Sequence, residues 1–236
     1  MIATAATPAA SGYQVRLQCV QVAGGEDLQV RALLDCQQYA DPDGAADAAG
    51  ISAASWPLFG QVWPSSQKLA DLMQGWALGD RRILETGCGL ALASLVIHRR
   101  GGNITASDCH PLTETFLRAN LLLNGLHHLH YRTGHWQRVN PQLGEFDLII
   151  GSDLLYERSQ PGQLAAFIQI HAAERAEVLI VDPNRGNRSA FHQGMERAGF
   201  GLTETALDQP LADGSPYRGR LLHYRRECRS RAFSSD

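Results

Sequence analysis

The chain has 236 residues, 44% of them hydrophobic and 19% charged, with a formal net charge of −3. That length suits one domain with a substantial core, and the near-neutral balance supplies neither a basic footprint for nucleic acid nor an acidic interaction arm. No run of 18 uncharged apolar residues exists to span a membrane, and residues 1–12 lack the basic and apolar regions of a signal peptide and read as a disordered tail.

Residues 13–35 hold two alternating runs, YQVRLQCVQV and LQVRALL, split by AGGED, the pattern of a β-hairpin. The segment YADPDGAADAAGISAAS (39–55) is small, acidic and rich in Gly, Ala and Pro. Such a composition buries little and predicts a mobile, solvated linker, although Asp41, Asp43 and Asp47 would also suit an acidic border to a neighbouring cleft. The chain therefore divides into the tail 1–12, a hairpin and acidic loop over 13–59, a main domain over 60–227 and a second tail over 228–236.

From Trp63 onward, short apolar strands alternate with helical patterns. Strands are expected at 81–87, 103–108, 128–134, 146–153 and 177–183, and helices at 91–100, 111–125, 162–174 and 187–199. The near-continuous apolar strands LII and VLIV imply a parallel sheet covered on both faces. Two further strands, 201–207 and 218–227, have only a turn-rich link between them and should pair antiparallel. The expected fold is α/β, a doubly wound seven-stranded Rossmann-like sheet with an antiparallel edge.

Five scattered cysteines, Cys19, Cys36, Cys88, Cys109 and Cys228, form no CxxC pair and fit a reduced, cytoplasmic chain. His127, His128 and His130 lack the carboxylate or second histidine spacing of a metal site and read as a loop entering a strand; no metal is expected. The 21 basic residues include a single lysine, Lys68.

In doubly wound sheets ligands bind beyond the carboxyl ends of the strands. The first strand of the main domain ends in Glu85-Thr-Gly87-Cys88-Gly89-Leu-Ala91, where two glycines allow a tight turn and a close approach to a ligand. Asp108 closes the next strand about 20 residues later, where a carboxylate accepts from ribose hydroxyls. The dinucleotide fingerprint needs a third glycine where Leu92 stands, and no phosphate loop ending in Gly-Lys is present. Glu85 is placed to hold the turn's amides or a ligand's cationic group. Trp136 offers a ring to stack on adenine, or a core tryptophan. Asp153 and Tyr156 follow the fourth strand, as a site pair or as a cap and an ordinary helix-start aromatic.

ILETGCGLALASL, Ser107-Asp108, TGHW (133–136) and the D-x-x-Y run Asp153–Tyr156 together resemble class I S-adenosylmethionine-dependent methyltransferases, and within them methyltransferase family 16, which holds many protein lysine methyltransferases. VWPSSQKLADLM (62–73) resembles that family's Trp-containing segment before the first core strand. The resemblance covers roughly residues 60–205. It implies cofactor contacts from Trp63, Glu85, Gly87, Cys88, Gly89, Asp108, Trp136 and Ser152, and an acceptor site at Asp153 and Tyr156. Ala91 stands where the family often has a third glycine, and His135 where it often has Asp. The implied function is S-adenosylmethionine-dependent methylation of a protein lysine, by a monomer by default. The rivals are a small-molecule methyltransferase on the same fold, a cofactor-binding module without activity, and an NAD oxidoreductase.

Overall fold

The computed structural model describes residues 12–227; the two terminal tails expected at 1–12 and 228–236 lie outside the described residues, save Gly12. In chain order the elements are β1 (Val15–Val20), β2 (Leu28–Leu33), a single turn α1 (Ala45–Ala48), a 3-10 turn over Trp56–Gly60, α2 (Pro64–Gly75), β3 (Arg82–Thr86), α3 (Leu92–Arg99), β4 (Asn103–Asp108), α4 (Thr113–Leu123), β5 (His130–Thr133), β6 (Phe146–Ser152), α5 (Gln160–His171), β7 (Ala172–Asp182), α6 (Arg188–Arg197), β8 (Gly201–Leu207) and β9 (Gly219–Arg226).

The seven-stranded sheet runs β5-β4-β3-β6-β7-β9-β8, with every neighbouring pair from β5 to β7 parallel and β9 antiparallel to both β7 and β8. The period-2 geometry of a strand divides its apolar residues between two cores. Ile83, Leu148, Ile150, Leu179 and Val181 face the layer built by α2, α3 and α4. Leu84, Ile149, Val178 and Ile180 face α5 and α6, among Leu164, Phe167, Phe191 and Met195. The runs LII of β6 and VLIV of β7 are apolar at successive positions because both faces of the sheet are covered there. Full burial of each such side chain contributes about 1.5–3 kcal/mol.

Local signals set the ends of α4. Asn124 caps it, Gly125 turns left-handed at φ 64°, and the amides of Leu126 and Gly125 donate to the carbonyls of Leu121 and Leu122 at 2.9 and 3.1 Å. This is the paired closure of a Schellman motif. The same helix docks the hairpin. Asn120 Oδ1 accepts the Arg31 amide at 2.7 Å, and Asn124 Oδ1 accepts the Gln29 amide at 2.9 Å while its Nδ2 donates to the Gln29 carbonyl at 2.8 Å. Two asparagines one turn apart thus satisfy the backbone edge of β2 that β1 leaves open. Leu28, Val30 and Ala32 join Phe116, Leu117 and Leu121 in one core, so the hairpin shares its interior with the main sheet.

The last strand, β9, is antiparallel and pairs with β8 as expected; it returns along the link 208–218 and inserts between β7 and β8, leaving β8 outermost. Two expectations change. The helix expected to 174 ends at His171, because Ala172 already pairs with Phe146 as the start of β7. The segment 39–55 is mostly exposed, as expected of a solvated stretch, but it carries local order. Both Asp41 oxygens accept amides of α1, Oδ1 from Ala46 and Oδ2 from Asp47, each at 2.9 Å, and Ala46 is fully buried. The helix α2 has no counterpart among the predicted elements.

Candidate active site

The carboxyl ends of β3, β4, β5 and β6 open into one cavity of about 520 Å³, within the range that holds small ligands. Its floor is the turn after β3. Gly87 and Gly89 have φ of 58° and 51°, and Ala91 joins them at 59°. Space as well as conformation demands the two glycines. A Cβ on Gly87 would stand 2.7 Å from Leu154 Cδ2, and one on Gly89 would stand 2.9 Å from the Phe59 carbonyl oxygen.

Asp108, at the end of β4, braces this floor. Its Oδ2 accepts the Gly89 amide and its Oδ1 the His110 amide, each at 2.9 Å. Burial raises its pKa, and the amides of His110 and Gly89 oppose that shift. Each oxygen keeps a lone pair for a hydroxyl donor in the cavity.

Trp136, beyond β5, donates Nε1–H to Thr86 Oγ1 at 2.9 Å and packs against the core of the α5–α6 face. Trp63 immediately precedes α2 and donates Nε1–H to the Leu58 carbonyl at 2.9 Å. Both indoles are therefore fixed by hydrogen bonds while their rings line the cavity. Ser152 ends β6. Asp153 follows in a left-handed conformation at φ 54°, its amide donating to the Val181 carbonyl at 2.9 Å. Tyr156 stands at the mouth, 42% exposed, with its phenol pushed up to about 12 chiefly by desolvation.

Of the ten residues singled out from the sequence, the cavity gathers Trp63, Gly87, Cys88, Gly89, Asp108, Trp136, Ser152, Asp153 and Tyr156. Glu85 is not among its lining. That carboxylate turns beneath the floor, where Oε2 accepts the Ser94 amide at 2.8 Å and the Ser94 hydroxyl at 2.5 Å. It ties β3 to α3, and burial pushes its pKa up to about 7 against those two bonds.

The wall opposite the strands comes from the lead-in, which the sequence offered only as the lesser reading of the 39–55 segment. Ala49, Gly50, Ile51, Ser55, Leu58 and Phe59 all line the cavity. Arg138 Nη2 donates to the Ala48 carbonyl at 3.0 Å and joins this lead-in to the loop after β5. The sequence reading misses His110. Its ring stacks on Phe59 with centroids 3.7 Å apart, and it is 3% exposed. Burial drops its pKa to about 4. Nδ1 accepts the Leu112 amide at 3.2 Å, so in the neutral ring Nε2 carries the proton, and that buried atom has no partner. An alanine-rich stretch has no periodicity to announce such a wall, and a histidine two residues past Asp108 has no motif. His135 lines the cavity with its carbonyl held by Asn140 Nδ2 at 2.9 Å.

A model of the lysine methyltransferase family matches residues 58–198. Among curated proteins, the chain is 26% identical over 169 residues to the electron transfer flavoprotein beta subunit lysine methyltransferase of Mus musculus, a match that covers 70% of this chain and 64% of that protein. It is 29% identical over 105 residues to the histone-arginine methyltransferase METTL23 of Xenopus laevis, covering 41% and 44%. The chain thus spans less than two thirds of the length of these relatives. Among solved structures, the ribosomal protein L11 methylase of Lactobacillus delbrueckii subsp. bulgaricus superposes with a TM-score of 0.56 at 18% identity, covering 71% of this chain and 81% of that one. The magnesium protoporphyrin IX methyltransferase of Synechocystis PCC 6803, solved with bound S-adenosylmethionine, gives 0.57 at 15% identity, covering 80% and 100%. At these identities the structures establish a shared fold.

Proposed function

The chain belongs to the lysine methyltransferase family, and on that premise we propose that it is an S-adenosylmethionine-dependent methyltransferase whose acceptor is a lysine side chain of a protein. One observation carries the reading: a glycine turn, the buried Asp108 and the Asp153–Tyr156 pair converge on a single cavity. The cofactor fits what the cavity offers. Asp108 keeps free lone pairs beside the turn, the buried His110 Nε2 lacks a partner, and the Trp63 and Trp136 rings are fixed in the wall.

When bound, S-adenosylmethionine supplies an electrophilic methyl group on a sulfonium. The protein's task is to align the acceptor nitrogen with that group and exclude water, which needs no metal ligand and no covalent bond to the chain. Asp108 would hold the ribose, while Gly87, Cys88 and Gly89 let the backbone approach closely. Asp153 and Tyr156 would orient the acceptor nitrogen. A lysine amine must shed a proton before it attacks, against a free pKa of about 10.4. Enclosure at the mouth and a neighbouring positive charge both disfavour the ammonium form. The described cysteines are free, which suits a cytoplasmic chain.

The test is transfer of labelled methyl groups to lysate proteins by the purified chain, followed by amino-acid analysis of the labelled product. Methyl-lysine is expected. Label in methyl-arginine alone, or in small molecules alone, overturns the lysine acceptor, and no transfer with cofactor bound overturns the activity.

A further inference from the structure

Arg185, in the turn after β7, has no part in the function proposed above. Its amide donates to Asp182 Oδ1 at 2.7 Å, next to Asn184 at φ 66°, and this fixes the turn. From there the side chain reaches the acceptor pair. Nε donates to Asp153 Oδ1 at 2.8 Å and Nη2 donates to Asp153 Oδ2 at 3.0 Å. Two parallel bonds from a planar guanidinium are the most specific grip that arginine has on a carboxylate. The Asp153 side chain is 13% exposed and that of Arg185 42%, and both residues line the cavity, with Arg185 on the solvent side of the pair.

The other charges nearby are engaged with one another. Arg188 lies 3.7 Å from Asp182 and 3.6 Å from Glu204, and Arg220 lies 3.1 Å from Glu204. Tyr156 and Glu157 follow Asp153 on the same segment, and the Tyr217 phenol, which donates to or accepts from Ser65 at 3.0 Å, approaches from the link before β9. Among the described residues, Arg185 is the cation paired with Asp153.

This arrangement bears on the proton that a lysine acceptor must lose. A bare carboxylate within about 4–6 Å of the amine would favour the ammonium form and leave a poor nucleophile. We propose that Arg185 is a positioning residue for methyl transfer: it holds the Asp153 carboxylate in place and cancels its charge, so that the acceptor amine meets a site that does not favour its cation. The inference rests on the lysine-acceptor reading and adds what sets the acceptor's charge state.

The test is calorimetric titration of the chain, saturated with S-adenosylhomocysteine, with n-butylammonium as the head of a lysine side chain. Arg185→Ala is expected to bind this cation about fivefold more tightly than the wild-type chain, the scale of an exposed ion pair. Arg185→Lys, which keeps the charge, should return to within about twofold of wild type, and Arg185→Ala combined with Asp153→Asn should lose the gain. Equal affinity in Arg185→Ala and wild type, or binding detectable in neither, overturns the role of Arg185. S-adenosylhomocysteine binding is measured first on every variant. If the wild type does not bind it, the methyltransferase reading fails and the inference with it; if it binds and the cation affinities are equal, only the role of Arg185 fails.

Discussion

The carboxylate of Asp108 accepts the Gly89 amide at 2.9 Å, so the residue that closes β4 holds the turn that follows β3. The two strands are neighbours in the sheet, with Thr86 opposite Ser107. A ligand at this junction therefore meets a turn and a carboxylate that are already fixed to each other. Preorganisation of this kind cuts the ordering cost of binding.

Asp108→Asn keeps the side-chain volume but presents one oxygen where two amides now donate. The Gly89 or the His110 amide then faces an NH2 group. Loss of a charge-assisted bond of about 1.5–3 kcal/mol predicts S-adenosylhomocysteine affinity at least about tenfold weaker, read by calorimetry.

Gly89→Ala and Gly125→Ala form a controlled pair. Both glycines have left-handed backbones, at φ 51° and 64°, so each substitution costs about 1–2 kcal/mol of stability. At Gly125 nothing lies within 4 Å of the added Cβ, whereas at Gly89 it would stand 2.9 Å from the Phe59 carbonyl oxygen. Urea unfolding should show the larger loss for Gly89→Ala, and only that variant should lose ligand affinity.

Glu85 predicts a pH dependence of stability. Its folded pKa of about 7 lies above the ordinary carboxylate value of 4.5, so the folded state favours the protonated acid. The contribution is complete below about pH 4.5 and is lost as pH rises through 7. A shift of that size corresponds to about 3 kcal/mol. Glu85→Gln keeps an acceptor for the Ser94 amide and hydroxyl and cannot ionise. The difference in unfolding free energy between variant and wild type should therefore grow in the variant's favour from pH 5 to pH 8; a flat difference contradicts the buried, raised carboxyl.

The sequence made the sheet and its floor legible for a physical reason. β4 and β8 match the expected 103–108 and 201–207 to the residue, because period, apolar content and turn residues all agree there. Glycine spacing followed by Asp108 located the cavity floor. The order of the lead-in was not legible, since a small residue such as Ala46 buries through tertiary fit rather than pattern. Arg185 lies in the turn after β7, where no sequence pattern points to Asp153. Its pairing with Asp153 depends on two loops, after β6 and after β7, that adjacent strands bring together.

Asp153 and Tyr156 are tested with substitutions that spare the backbone. Asparagine tolerates the left-handed conformation at Asp153, so Asp153→Asn removes the charge with little strain. Asp153→Asn and Tyr156→Phe should each keep S-adenosylhomocysteine affinity within about threefold and lower methyl transfer by roughly 10²-fold, the scale for loss of a positioned polar group. Unimpaired turnover of either variant removes that residue from the acceptor site.

The most direct measurement is calorimetric titration of the purified wild-type chain with S-adenosylhomocysteine, with NAD as the control. Micromolar binding of the nucleoside and none of NAD is the predicted result. A chain that ignores the nucleoside, or that binds NAD instead, contradicts the assignment of this cavity to S-adenosylmethionine.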